Sequence, residues 1–393
     1  MEQGVSRRAV AACAPLDTTV DVSTGRISLE IKRDLDLQPA DAAAFEALIA
    51  TRPDVGVFVS RSWLSGLFAE PPDGAEPMLV LFRDGDTLRG LVPIGILQTR
   101  TLVHVGLLGG GAGSDRVDLI AARGFEAQCA DAFIAWAAGT FADRGYVIEL
   151  RDVPAGSPLW GAITRANAED AGRLAFLPRD VHTLPYLDLT ESRNEALKSL
   201  EKHRRWLEKR GRLRVELVQE PSEALTAFDS LTSFLRARWN GHDDGSALDA
   251  PRANRFHRRV IPLLLNDGHL RMIRIAIDMR TVAVFYGVSI GNWLGYYLAG
   301  YDRAWAGRIH LGQITLAAAV DLAVREGVRE FDFLKGVERV KYLWPVRERS
   351  AMDADAYSAH WGAQLNRATR AGRDAAAAGV KSARHVISTI KPR

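Results

Sequence analysis

Two carboxylates and two lysines fall within ten residues toward the C-terminal end of this sequence: Asp332, Lys335, Glu338 and Lys341. Asp332 lies between Phe331 and Phe333, so on a strand its carboxylate faces away from both rings. A carboxyl held in a partly apolar cleft has a raised pKa, which suits a general base. The competing reading makes Asp332 a hydrogen-bond acceptor for loop amides and Glu338 a solvated loop carboxylate. Lys341 is placed to position an anionic group or to steady a developing oxyanion. Tyr296, Tyr297 and Tyr301, a little upstream, offer phenolic acids, with Tyr297 the candidate. No Cys or Ser accompanies a His in a nucleophile–base arrangement, so direct transfer is expected in preference to a covalent enzyme intermediate. On the substrate side, Arg238 and Trp239 end a helix before a polar loop, and Lys335 and Trp344 flank the carboxylates. The nine histidines and two cysteines show no metal-ligand spacing.

These groups need elements to hold them. Hydrophobic periodicity predicts helices over Glu191–Arg210, Pro221–Trp239 and Pro251–Leu265. Three strands follow at His269–Ile277, Thr281–Ile290 and Trp293–Tyr301, joined by tight turns at Asp278-Met279 and Gly291-Asn292. The loop Gly307-Arg308-Ile309-His310-Leu311-Gly312 then opens a helix that runs to Arg325 and is ended by Gly327. A loop that becomes a helix N-terminus presents unpaired amides and the positive end of the dipole, and Arg308 adds a charge. A short buried strand, Phe331–Leu334, follows. The first half repeats the order: Met78–Phe82, the turn Asp84-Gly85-Asp86, Leu88–Leu97, then a helix Phe125–Ala142 that feeds a strand Tyr146–Leu150. Two copies of one α+β unit, meeting near Tyr186–Ser192, are the economical reading. The glycine-rich run Gly106–Gly113 leads into loop and strand instead of a helix, so a dinucleotide fingerprint fails its context test.

The order and spacing of the second half resemble the C-terminal signature of the FemAB/CelD-like acyltransferases. The residues that carry the likeness are the Gly-containing loop before a helix, the strand ending Asp332-Phe333-Leu334-Lys335-Gly336, and Glu338 with Lys341-Tyr342-Leu343-Trp344. It is strongest over 190–345 and looser over 55–155. Two departures stand out. His310-Leu311 replaces the usual Ser-Pro before the loop's second glycine, and Val340 replaces the family tyrosine. The resemblance implies two tandem GNAT-like (acyl-CoA N-acyltransferase) α/β units forming one bilobal α+β protein. The expected division is a mobile leader at 1–26, an N-terminal half at 27–188, a C-terminal half with the donor site at 189–358, and a basic Ala-rich helical tail at 359–393. It further implies acetyl-CoA or another acyl-CoA as co-substrate, with its pyrophosphate on Gly307–Gly312. The acyl group would pass to an amine or hydroxyl of a small-molecule or sugar acceptor, in polysaccharide or cell-envelope biosynthesis. An aminoacyl-tRNA donor is the alternative within the family. A catalytically inactive glycan-binding or scaffold module is the alternative outside it, with Val340 as its argument.

Composition is that of an ordinary globular chain, 47% hydrophobic and 25% charged over 393 residues. Val10–Cys13 has the shape of a lipoprotein cleavage site, but residues 1–8 supply no apolar stretch before it. A cytoplasmic protein is expected. The net charge of +3 hides two basic patches: +5 over Glu191–Arg214 and +6 over Gly362–Arg393, which leave −8 elsewhere. That distribution suits an anionic ligand or surface, with nucleic acid confined to the tRNA alternative. In the tail, Leu365, Ala368, Val386 and Ile390 recur at helical spacing, with Arg367, Arg370, Lys381 and Arg384 largely off that stripe. Peripheral contact with an anionic inner membrane is the partner this predicts.

Overall fold

The computed structural model describes residues 19–24, 27–169, 174–191, 213–239, 248, 250–305 and 310–372. Most of the leader, the basic helix expected at 191–210, Gly307 to Ile309 of the loop, and the tail beyond 372 lie outside them. Thr19–Thr24, inside the expected leader, is a strand (β1) paired with Ile27–Lys32 (β2) at the sheet edge.

The first half continues with helices α1 (Pro39–Thr51), α2 (Pro53–Gly56, a single turn) and α3 (Arg61–Ala69). The Ser60 hydroxyl accepts from the Trp63 amide and caps α3. Strands β3 (Glu76–Asp84), β4 (Thr87–Gln98) and β5 (Val103–Leu107) form an antiparallel meander, with the two-residue strand β6 (Ile120–Ala121) alongside β4. Helix α4 (Glu126–Thr140) then crosses to β7 (Tyr146–Pro154), which lies parallel to β5. Helix α5 (Pro158–Glu169) leads to β8 (Leu174–Asp188).

The second half repeats the plan after β9 (Leu213–Leu217) and the helices α6 (Pro221–Trp239) and α7 (Pro251–Asn266). Its meander is β10 (Leu270–Ile277), β11 (Arg280–Ile290) and β12 (Trp293–Tyr301). The first turn holds Asp278 and Met279 at φ 48° and 68°, the mirror-image turn that a two-residue hairpin requires. Helix α8 (Leu311–Arg325) crosses to β13 (Glu330–Asp332), which is parallel to β12. Strand β14 (Arg347–Ser358) and a helix, α9 (361–372), complete the described chain. No helix of the described residues is long and apolar enough to cross a membrane.

All the strands belong to one sheet, and its centre is where the halves meet. The order there is β7-β14-β8-β13. With β13 and β14 taken as the second copies of β7 and β8, that order reads the same from either end. Each half has therefore given its last strand to the other, across a pseudo-two-fold axis between β8 and β14. The helices cover both faces by simple alternation. On β11, Val284, Tyr286 and Val288 pack with α6 and α7, whereas Ala283 and Phe285 point the other way, onto α8. The first of these cores is continuous with the first half, where Trp63 meets Phe256 edge-on at 5.0 Å.

Candidate active site

Asp332 is fully buried, and its surroundings are ionic, not the apolar cleft expected from sequence. One carboxylate oxygen meets Arg116 at 2.5 Å and also Arg349, and the other accepts from the Leu334 amide at 2.7 Å. The Trp293 indole donates to the first of these oxygens at 3.3 Å. Arg349 also pairs with Glu330 and lies over the Tyr186 ring at 4.5 Å. Both oxygens of Asp332 are thus engaged inside the protein, one by two guanidiniums and the indole and the other by the loop amide. What it holds is a strained turn. Leu334 sits at φ 57°, a conformation a bulky residue adopts only under outside constraint, and Gly336 follows at φ 112°.

That turn aims Lys335 out of the second half and across to the first, where its ammonium meets Asp152 at 2.7 Å. Lys341 is the strut beneath it. Its ammonium, only 6% exposed, donates to the carbonyls of Lys335 and Gly336 at 2.9 and 3.1 Å and to Glu338 at 2.8 Å. All three of its protons are spent on the loop, so its expected contact with an oxyanion gives way to a bracing role. Glu338 is exposed above the turn as the partner of Lys341. Trp344 is packed into the apolar core around α8 and cannot line a cleft. Arg238 is exposed at the end of α6, and its charge is felt at the Tyr296 hydroxyl. The Trp239 side chain lies outside the described residues.

Tyr297 stands at a bulge. Tyr286 pairs with Leu298 and Gly287 with Tyr296, so Tyr297 is the extra residue of β12, with no partner across the pair. Its hydroxyl donates to the Gly113 carbonyl at 2.6 Å, tying the second half to the glycine-rich loop of the first. Burial, with Asp115 and Tyr286 nearby, holds the phenol well above its ordinary pKa, so it stays protonated. Arg252 of α7 grips the same loop by donating to the Ala112 carbonyl at 3.0 Å.

The loop so held presents a carboxylate that sequence reasoning passed over. Asp115 is half-buried where the halves meet and has no hydrogen bond or ion pair among the described residues. Desolvation raises its pKa to about 7; the charge of Asp152 adds to the effect, and Lys335, Lys341 and Arg116 oppose it. The run Gly109–Gly113 is what carries it there: Gly109 lies at φ 91°, and a Cβ on it would stand 2.5 Å from the Ser114 hydroxyl. A second group of polar residues lies close by. Strands β7, β8 and β14 all break register at one level, and there Asp152, His182 and Asp353 gather with their polar atoms within 4.8 Å of one another. Lys335 already supplies a positive charge to that group.

His182, Asp353 and Lys335 form part of the wall of a pocket of about 510 Å³ that is also lined by β4, β5, β7, the 109–112 loop and Arg370. Inside it, burial raises the pKa of Glu149, but hydrogen bonds from His104 and Arg370 outweigh this and hold it at about 2. Of the donor loop, His310 is exposed and its side chain does not cap α8. Leu311 is buried, and among the described residues a Cβ on Gly312 would meet only the Tyr301 ring, at 3.4 Å. Cys129 is sealed beneath Gly90, and burial pushes its thiol up to about 12, so it is no nucleophile.

Comparison with known proteins agrees with this architecture. Residues 194–342 match the family model described as an acetyltransferase (GNAT) domain. No curated protein sequence matches. Among solved structures, FemX superposes with a TM-score of 0.57 at 10% identity, covering 84% of this chain and 97% of its own. A conserved protein of unknown function from Bacteroides thetaiotaomicron gives 0.51 at 12% identity, covering 82% and 98%. The C-terminal domain of a putative lysylphosphatidylglycerol synthetase from Agrobacterium fabrum gives 0.49 at 12% identity, covering 83% and 95%. At such identities the likeness is one of fold. Two GNAT-like units share one sheet, and it is the second of them that matches the acetyltransferase (GNAT) domain model.

Proposed function

We propose that this protein transfers an acyl group from an acyl-CoA to an amine or hydroxyl of a small-molecule or sugar acceptor, in polysaccharide or cell-envelope biosynthesis. The reaction class rests on the GNAT domain over 194–342. The single observation that carries the site is the position of Asp115, a carboxylate at the junction of the halves with no partner among the described residues and a pKa near neutrality. The N-terminus of α8 suits the donor's pyrophosphate. Its first turn is uncapped by a side chain, and Gly312 leaves its backbone open to close approach. A bound thioester would supply a carbonyl carbon already activated toward attack.

Asp115 takes the proton of the attacking amine or hydroxyl; collapse of the tetrahedral adduct then breaks the C–S bond and releases the CoA thiolate, which takes up that proton. The bulge at Tyr297 leaves backbone polar groups free of the ladder, and these are the candidates to steady the oxyanion. The Tyr297 hydroxyl and Arg252 hold the loop in register, and the Asp332 turn aims Lys335 at the same place. The acceptor occupies the pocket, whose size falls in the range of small-molecule sites. Its carboxylates, guanidiniums and loop amides offer both donors and acceptors to a polyhydroxylated ligand.

A second reading keeps the site and changes the donor to an aminoacyl-tRNA. It is favoured by the FemX-like fold and by the nine Lys/Arg between Glu191 and Arg214. A thermal-shift series with acetyl-CoA, longer acyl-CoAs and free CoA decides between them. A donor at about 100 times its dissociation constant should stabilise the protein by roughly 2.7 kcal/mol. No response to any CoA, with a salt-sensitive mobility shift on tRNA, would transfer the proposal to the second reading. Silence in both would leave a binding module without catalysis.

A further inference from the structure

Strand β14 lies between β7 and β8, and at Asp353 it faces a bulge on either side. From Met352 to Ala354 its partners step from Val153 to Leu150 on β7 and from Val181 to Pro178 on β8, so Asp353 alone opposes two residues of each neighbour. Bulges turn side chains out of the regular alternation, and here Asp152, His182 and Asp353 converge. Asp152 adopts a left-handed φ of 54° in doing so. The His182 Nε2 stands 3.2 Å from Asp353 Oδ1 and 3.7 Å from Asp152 Oδ1. That nitrogen is buried, yet it makes no hydrogen bond among the described residues. A buried polar atom in that state calls for another partner. The carboxylates are oriented from behind: the Gly111 amide donates to Asp152 Oδ2 at 3.1 Å, and the Asp152 amide donates to Asp353 Oδ1 at 2.8 Å. On the other side His182 and Asp353 open onto the pocket.

We propose that Asp152, His182 and Asp353 bind a divalent transition-metal ion, Zn²⁺ first among them, with its remaining coordination positions open to the pocket. Donors about 2.0–2.2 Å from one ion stand up to about 4.4 Å apart, which accommodates both separations measured from the imidazole. Two carboxylates match the charge of the ion, and hydrogen bonds fixing ligands from behind are what metal sites require. The imidazole nitrogen selects against Mg²⁺ and Ca²⁺, which prefer oxygen alone. Lys335 is the built-in competitor. Its ammonium holds Asp152 Oδ1 at 2.7 Å, but the side chain is 39% exposed and can swing away when an ion takes that oxygen. A bound ion with open positions can orient a hydroxyl or carboxylate of the pocket's occupant. No linear spacing could show a set drawn from three separate strands. The inference concerns binding and stands apart from the acyl-transfer reading.

The test is calorimetric titration of the full-length, chelator-stripped protein with Zn²⁺ and, separately, with Mg²⁺. The expected result is one Zn²⁺ per chain, held at least about 100-fold more tightly than Mg²⁺. His182→Gln and Asp353→Asn should each weaken Zn²⁺ binding by about tenfold or more. Lys335→Met, which removes the competing charge from an exposed side chain, should strengthen it by about tenfold. Titration with Co²⁺ keeps the question open to an answer if a ligand variant fails to fold. Its visible absorption should appear in the parent and saturate at a lower Co²⁺ concentration in Lys335→Met. Absence of stoichiometric Zn²⁺ binding in both parent and Lys335→Met would overturn the proposal. So would an affinity that folded His182→Gln and Asp353→Asn leave unchanged, since the ion would then lie elsewhere. Mg²⁺ bound as tightly as Zn²⁺ would also count against it, as the mark of a carboxylate pair acting without the imidazole.

Discussion

At Asp115 the folded protein favours the protonated carboxyl. Its pKa stands at about 7 against an ordinary 3.8, so the folded state binds the proton more tightly than the unfolded one. Stability must therefore fall as pH rises between those values, by the linkage of proton binding to folding. Asp115→Asn removes that loss. The variant should match the parent below pH 4 and be more stable at pH 8 by on the order of 1 kcal/mol or more in denaturant unfolding. As a base the carboxylate works only when ionised, so kcat/KM should rise with pH and level off above about 7, and the asparagine should erase that limb with a loss of about 10²-fold. An unchanged profile in the variant would assign the base elsewhere. Asp332 should behave in the opposite way. Asp332→Asn leaves Arg116, 1% exposed, facing a neutral amide. Breaking a buried pair from one side costs about 3–5 kcal/mol. A large drop in unfolding temperature is the expected outcome, and an unperturbed melt would show that the turn stands without it.

On the proposed function, the element that matters most for the donor is α8. Among the described residues a Cβ at position 312 meets only the Tyr301 ring, at an ordinary contact distance. The space it would fill lies at the helix N-terminus, where a pyrophosphate would approach the backbone. Gly312→Val should therefore leave a cooperative melt and weaken CoA binding by tenfold or more, about 1.4 kcal/mol by calorimetry. Unchanged affinity would remove this helix end from the site. The hairpins around it were legible from local chemistry, because strict alternation and a turn dipeptide specify a strand pair with no help from elsewhere. Asp278-Met279 and Gly291-Asn292 turn where those rules place them, although neither Asp278 nor Met279 is a glycine.

For the whole molecule, the exchange of last strands has a direct consequence. A fragment of residues 1–188 keeps β8 but loses both of its neighbours, β13 and β14, and β7 loses β14 as well. It also exposes the ring cluster around Trp63 that Phe256 and Tyr297 cover. Such a fragment should be insoluble or lack a cooperative transition when expressed alone. A monomeric, sharply melting 1–188 would show that the first half is a domain in its own right.

The sequence by itself determined what depends on neighbours along the chain. It specified the meanders, the helix that follows each, the repeat of that order in both halves, and the turn-bearing run from Asp332 to Lys341. Local steric preference and periodicity act over a few residues, and those features need no more. What Asp332 and Lys341 do was decided only by tertiary structure, because their partners are Arg116, Arg349 and a set of loop carbonyls. The same is true of Asp115. No spacing singles it out, and its basicity comes from desolvation and from the charge of Asp152 on another strand, against the opposing charge of Lys335. The glycine-rich run leads into loop and strand, as its sequence context requires, yet its use as the arm that carries Asp115 to the junction required the second half to be in place. Arg151 and Asp355, paired at 2.5 Å across 204 residues, mark the limit: register between distant strands is set by the packing of whole faces, and a linear pattern does not contain it.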